Sequence, residues 1–146
     1  MDKIYYTTSY KYRVSRTFSV ELFDCPWIPT AAWDENNRIS MPFAYLKKVG
    51  NDVRLTLEKY YGWDGATWAL DSKNFRRGSA CHDALLELIG LGKLSANPWK
   101  LWTDNFLIKL CDQDGMWWPR RRWVYRAVRM LGDPKGSKKR KEYCAP

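Results

Sequence analysis

Val53-Arg54-Leu55-Thr56-Leu57 places apolar side chains at every second residue, whereas Phe75-Arg76-Arg77-Gly78-Ser79-Ala80-Cys81-His82-Asp83-Ala84-Leu85-Leu86-Glu87-Leu88-Ile89 places them three and four residues apart. The first spacing is that of a half-buried strand and the second that of an amphipathic helix. The change of period between these two stretches decides the fold class. Upstream, Gly50-Asn51-Asp52 is a turn and Tyr45 to Val49 its partner strand, while Tyr5 to Val20 is rich in the Tyr, Thr, Val and Phe that strands favour. Pro26, Pro29 and Pro42 punctuate the connection. Downstream, three helices are expected. The first runs from about residue 75 to 89, with Asn74 or Asp71 as its cap, and ends at Gly90-Leu91-Gly92. The second starts at Asn97-Pro98 and runs to about Cys111, and the third spans Pro119 to Leu131 before Gly132 and Pro134. The expectation is an α+β fold, N-terminal antiparallel β hairpins followed by a three-helix C-terminal part.

A chain of 146 residues, 45% hydrophobic and 28% charged, suits one globular core. Residues 1–132 are read as a single α+β domain and 133–146 as a basic, flexible tail. No apolar run approaches the roughly 20 residues that span a bilayer, and the N-terminus lacks a signal pattern, so the chain is expected in the cytoplasm where it is made. Its four cysteines form no C-x-x-C pair, and one histidine cannot complete a Cys/His zinc set. The same scarcity of histidine excludes phosphohydrolases built on clustered His and Asp.

The net charge of +9 is unevenly placed. From residue 120 onward, ten Lys/Arg face only Asp133 and Glu142, so the last segment carries +8 and the body is near neutral. A basic end on a neutral body suggests weak polyanion binding, with Lys138, Lys139, Arg140 and Lys141 as the purely electrostatic contacts. Trp117-Trp118-Pro119-Arg120-Arg121-Arg122-Trp123 interleaves aromatic and basic residues, as nucleic-acid platforms do. The plainer expectation is a helix with Trp facing the core and Arg facing solvent.

Periodicity singles out one polar pair. His82 shares the apolar face of the first helix with Ser79, Leu85, Leu86 and Ile89, and small residues at Gly78, Ser79 and Ala80 let another element approach. Asp104 shares the apolar face of the second helix with Leu101, Leu107, Ile108 and Cys111. A short connection makes these helices antiparallel neighbours, and a carboxylate on an apolar face needs a partner. His82 is the natural one. Such a pair fixes the imidazole tautomer and leaves the other ring nitrogen to accept a proton. Asp83 points about 100° away around the helix and is available to a metal. The loop Tyr60-Tyr61-Gly62-Trp63-Asp64-Gly65 has two glycines that let carbonyls converge, the donors a hard cation such as Ca²⁺ takes. A lone histidine on an apolar face is more often a satisfied core residue than a catalyst.

The pieces Gly62-Trp63-Asp64-Gly65-Ala66-Thr67, Ala80-Cys81-His82-Asp83-Ala84-Leu85-Leu86, Thr103-Asp104-Asn105-Phe106 and Arg126-x-x-Arg129-x-x-Gly132, in that order, resemble an uncharacterised phage and prophage protein family, a domain of unknown function, over roughly residues 53–132. That resemblance implies a phage-type protein. More distantly, a glycine loop, His-Asp on a helix and Asp on the next helix is similar to the phospholipase A2 site in its compact parvovirus form. The likeness implies His82 as the base that activates water and Asp104 as its orienting partner. It also implies Ca²⁺ held by Asp83 with loop carbonyls near Tyr60, Gly62 and Asp64. The phospholipase pattern has a second loop glycine where this chain has Asp64. Three readings follow: a calcium-assisted hydrolase acting on lipid or another ester at the host envelope; a non-catalytic virion, tail or assembly protein, associated with other phage proteins, in which His82–Asp104 is structural; and a basic nucleic-acid-binding accessory protein.

Overall fold

Gly50-Asn51 joins two six-residue strands, and Gly50 takes a left-handed φ of 62° that a side chain would strain. In the computed structural model, which describes residues 4–7, 12–63, 72–131 and 142–145 (side chains over 12–63 and 72–130), this hairpin is the centre of the main sheet. The strands are β1 (Ile4–Thr7), β2 (Tyr12–Arg13), β3 (Phe18–Glu21), β4 (Arg38–Met41), β5 (Ala44–Val49), β6 (Asp52–Leu57), β7 (Gly62–Trp63) and β8 (Glu142–Ala145). The helices are α1 (Lys73–Gly90), α2 (Ala96–Gln113) and α3 (Trp118–Leu131). The main sheet has order β3-β6-β5-β4, every pair antiparallel. The fold is α+β, with antiparallel strands first and three helices after them.

Register explains the core. Leu46 lies opposite Leu55 and Ile39, and Ala44 lies opposite Leu57 and Met41. All six side chains fall on one face and are buried. They pack against Ala80, Cys81, Ala84, Leu85 and Leu88 of α1 and Trp99, Phe106 and Leu110 of α2. Burying each large aliphatic contributes about 1.5–3 kcal/mol. A smaller cluster, Phe75, Leu107, Cys111, Met116, Val124 and Val128, ties the three helices together.

The helices keep close to their expected limits. Ser72, in extended conformation, holds the N-cap position of α1 without a side-chain capping hydrogen bond; Asn74 lies inside the helix and Asp71 outside the described residues. Asn97 is extended within α2 (φ −110°, ψ 122°), so the continuous helix begins at Pro98. α1 and α2 are antiparallel neighbours, and they approach closely at Gly78. A Cβ there would sit 2.9 Å from Leu107 Cδ1 and 3.3 Å from Cys111 Sγ.

Two findings differ from the sequence reading. Part of the stretch read as a flexible tail, Glu142–Ala145, forms β8 and pairs antiparallel with β1, with Tyr5 opposite Cys144; Lys138, Lys139, Arg140 and Lys141 lie outside the described residues. The orientation expected of α3 is also corrected. Trp117, Trp118 and Trp123 are exposed, while Val124, Val128 and the preceding Met116 fill the core. Val124 and Val128 take the inward positions where α3 packs on Leu107 and Cys111 of α2, and that close packing leaves the indoles outside.

Candidate functional site

α1 presents His82 and α2 presents Asp104 because both sit on the faces that carry the leucines. Their side chains meet inside the protein: His82 Nε2 donates to Asp104 Oδ1 at 2.7 Å. Asp104 is fully buried and His82 only 6% exposed. The expected pair is therefore brought together across successive helices.

Asp104 takes more than one donor. Arg129 Nη1 of α3 reaches Oδ2 at 2.9 Å, and Lys100 Nζ, one turn earlier on α2, also bonds Oδ2. Lys100 further donates to the Val128 carbonyl at 3.1 Å. Burial by itself would raise the Asp104 pKa, but the donors from His82, Lys100 and Arg129 outweigh it and hold the carboxyl below its ordinary value. Asp104 is thus a carboxylate, and Nε2 must carry the proton it accepts.

Burial lowers the His82 pKa, and the Lys100 charge lowers it further, against the pull of Asp104. The ring is accordingly neutral at pH 7, with a bare lone pair on Nδ1. That nitrogen lies 4.0 Å from Asp83 Oδ1, and the Asp83 side chain is 40% exposed. One edge of the imidazole is therefore anchored in the core and the other is turned toward a carboxylate at the surface.

The segment after β6 lies alongside this helix face. Tyr61 Oη donates to Glu87 Oε2 at 3.3 Å, and Trp63 Nε1 donates to Ser79 Oγ at 3.1 Å. Ser79, Asp83 and Glu87 are spaced four residues apart, so Asp83 shares the face to which Tyr61 and Trp63 are fastened. Gly62 lies between those two anchors in the chain. Its strand is held from the other side: Gly62 pairs with Arg13, the Val14 amide donates to the Tyr61 carbonyl at 2.9 Å, and the Tyr60 amide donates to the Val14 carbonyl at 2.7 Å. Tyr60 itself is exposed and has a left-handed φ of 77°. Asp64 lies outside the described residues.

Gly62 is tied to the α1 face that carries Asp83 through its neighbours Tyr61 and Trp63, and Tyr60 sits at a left-handed turn two residues before Gly62. Among the described residues no cluster of three or more His, Cys, Asp or Glu side chains could hold a metal. A cation here would rest on one carboxylate and backbone carbonyls, which suits the oxygen preference of Ca²⁺ and not the nitrogen and sulfur ligands of zinc.

Sequence reasoning missed four contributors: Lys100, Arg129, Tyr61 and Ser79. Lys100 was legible, since it stands four residues before Asp104 on the same helix. Arg129, which the sequence offers only as part of the Arg126-x-x-Arg129 motif and the basic C-terminal segment, is the α3 partner of Asp104. Cys81, next to His82, is not a nucleophile: it is buried, and burial pushes its thiol up to about 12.

Comparison of the chain with protein-family models, with curated proteins and with solved structures finds no match. Among the described residues no helix is long and apolar enough to cross a membrane.

Proposed function

We propose that this chain is a phage-type hydrolase in which His82 is the general base toward an ester, with the phospholipids of the host envelope as the substrate class. The observation that carries the reading is the 2.7 Å hydrogen bond from His82 Nε2 to the buried Asp104 carboxylate, which leaves Nδ1 as an acceptor beside Asp83. A water molecule that donates one O–H to Nδ1 and the other to Asp83 fits the 4.0 Å between those two acceptors. His82 Nδ1 takes the proton as the water oxygen attacks the ester carbonyl. It then returns that proton to the departing alkoxide, giving a carboxylic acid and an alcohol. Asp104 is a positioning residue: it keeps the ring in the tautomer that has Nδ1 bare. Asp83 and the Gly62 backbone are the groups that would hold Ca²⁺, with Tyr60 and Asp64 as the further loop positions. A bound calcium supplies electrostatic stabilisation of the oxyanion.

A second reading is favoured by one specific observation. Asp104 is claimed by His82, Lys100 and Arg129 at once, so the same four side chains make a polar clamp joining α1, α2 and α3. In that reading the chain is a non-catalytic virion or assembly protein. Release of fatty acid from phospholipid vesicles, measured with calcium and with a chelator, separates the two. The hydrolase reading expects calcium-dependent release by the wild type and at least a hundredfold loss in His82→Gln, on the scale of about 10²–10⁴ for general-base catalysis, with folding retained. No release by the wild type, or equal release by His82→Gln, overturns it and leaves the clamp.

A further inference from the structure

α3 contains five arginines and no acidic residue. Two of those arginines turn inward: Arg129 to Asp104, and Arg121 to Asp112 and to the Met116 carbonyl, the latter at 2.7 Å. Arg122 and Arg126 are exposed and form no ion pair with the described residues. Four residues apart, they line the outer side of the helix, and the apolar groups of that side lie beside them. Trp118 is 58% exposed, Trp123 49% and Met130 83%, and Trp117, just before the helix, is 74% exposed. Val124 and Val128, on the opposite side, hold α3 to the core.

Large apolar groups left in water beside arginines mark a contact surface. We infer that the outer face of α3 docks on an anionic lipid bilayer. The chemistry matches on each count. Indole rings settle at the boundary between headgroups and chains. Met130 offers a flexible apolar side chain to the acyl region. Arginine stems lie along apolar surface while their guanidinium groups reach lipid phosphates in paired hydrogen bonds. A helix of 14 residues, about 21 Å long at 1.5 Å per residue, lies flat in an interface. Among the described residues, its side chains line neither of two clefts, one walled by Phe18, Trp63, Arg76 and Ala80 and the other by Phe23, Phe106 and Lys109. A flat lipid surface therefore fits the face better than a nucleic-acid strand, which is gripped in a groove.

The inference does not need catalysis, and vesicles of ether-linked lipids, which carry no ester, test it alone. Wild-type protein is expected to sediment with anionic phosphatidylglycerol ether vesicles and not with zwitterionic phosphatidylcholine ones. Its tryptophan emission should be quenched by brominated chains. Trp118→Ala with Met130→Ala should weaken partitioning about tenfold and remove most of the quenching. Arg122→Glu with Arg126→Glu should abolish the preference for anionic lipid. All four positions are exposed, and circular dichroism confirms that the variants fold. His82→Gln should bind as the wild type does. Equal vesicle binding by wild type and variants, as a basic tail alone would give, overturns the inference. So does preference for single-stranded DNA over vesicles, or a dimer that Trp118→Ala dissolves. Vesicle binding without ester hydrolysis sinks only the catalytic reading. Hydrolysis of a short-chain monomeric ester without vesicle binding sinks only the docking face.

Discussion

Arg126 and Arg129 lie three residues apart on one helix, in one motif, and both reach solvent, yet their head groups are held differently. Arg129 reaches through the α2–α3 contact to a fully buried carboxylate, while Arg126 stands in solvent next to Trp123 and Met130. The comparison teaches where polar groups are costly. Around Asp104 the charges are answered: the buried carboxylate takes an ammonium, an imidazole and a partly exposed guanidinium. On the outer face of α3 the same kinds of side chain are left for something outside the chain to answer. Buried charges must be paired to be tolerated at all, so the inner cluster is committed to the fold. The outer face bears no such constraint and is open to a partner.

The comparison is broken most severely at its inner side. Asp104→Ala removes the acceptor shared by His82, Lys100 and Arg129 and leaves those donors against the core. Chemical denaturation should show a loss of about 3–5 kcal/mol, the usual cost of breaking a buried pair. A loss under about 1 kcal/mol would mean that the cluster behaves as a surface ion pair. Arg129→Ala should cost less, about 1–2 kcal/mol, because the guanidinium is partly exposed and Lys100 still holds Oδ2.

The pH dependence is smaller and has a definite sign. In the unfolded chain His82 titrates near 6.5, and burial lowers its folded value. Below pH 6.5 the unfolded state therefore binds a proton that the folded state refuses, and stability falls as the pH falls toward the folded value. Asp104 acts in the same direction lower down: its folded pKa is depressed below 3.8, so the stability it contributes is present above 3.8 and is lost as pH falls through the folded value. Melting curves from pH 7.5 to 5 should slope downward for the wild type, and the His82→Gln slope should be flatter. Equal slopes would show that His82 is not the titrating group. If the proposed catalysis holds, hydrolysis persists to below pH 6.5, because the base remains neutral there.

The smallest effect sharpens the comparison from outside. Arg126→Ala should change stability by less than about 0.5 kcal/mol, as a substitution on a solvated face does. A cost close to that of Arg129→Ala would mean that the two arginines share one network.

Much of this molecule was legible in its residues. The change of period located the β6 strand and the α1 helix. Gly50-Asn51 located the hairpin turn, and the small residues around Gly78 anticipated the close α1–α2 approach. The His82–Asp104 pair followed from two polar residues on apolar faces of antiparallel helices, since each needed a partner there. These are local rules, decided by backbone geometry and by the cost of burying a polar group. The placement of α3 was not local. Its tryptophans were read as core because indole is the largest apolar side chain available, but the space over Leu107 and Cys111 admits Val124 and Val128 instead. That choice turned the indoles outward and swung Arg129 in to Asp104. The pairing of Ile4–Thr7 with Glu142–Ala145 joins residues more than a hundred positions apart, and no sequence period records such a contact. The sequence by itself determined the elements and the polar pair that needs shelter. Tertiary packing decided which face of α3 was left over, because it depends on the volume that the other helices leave free.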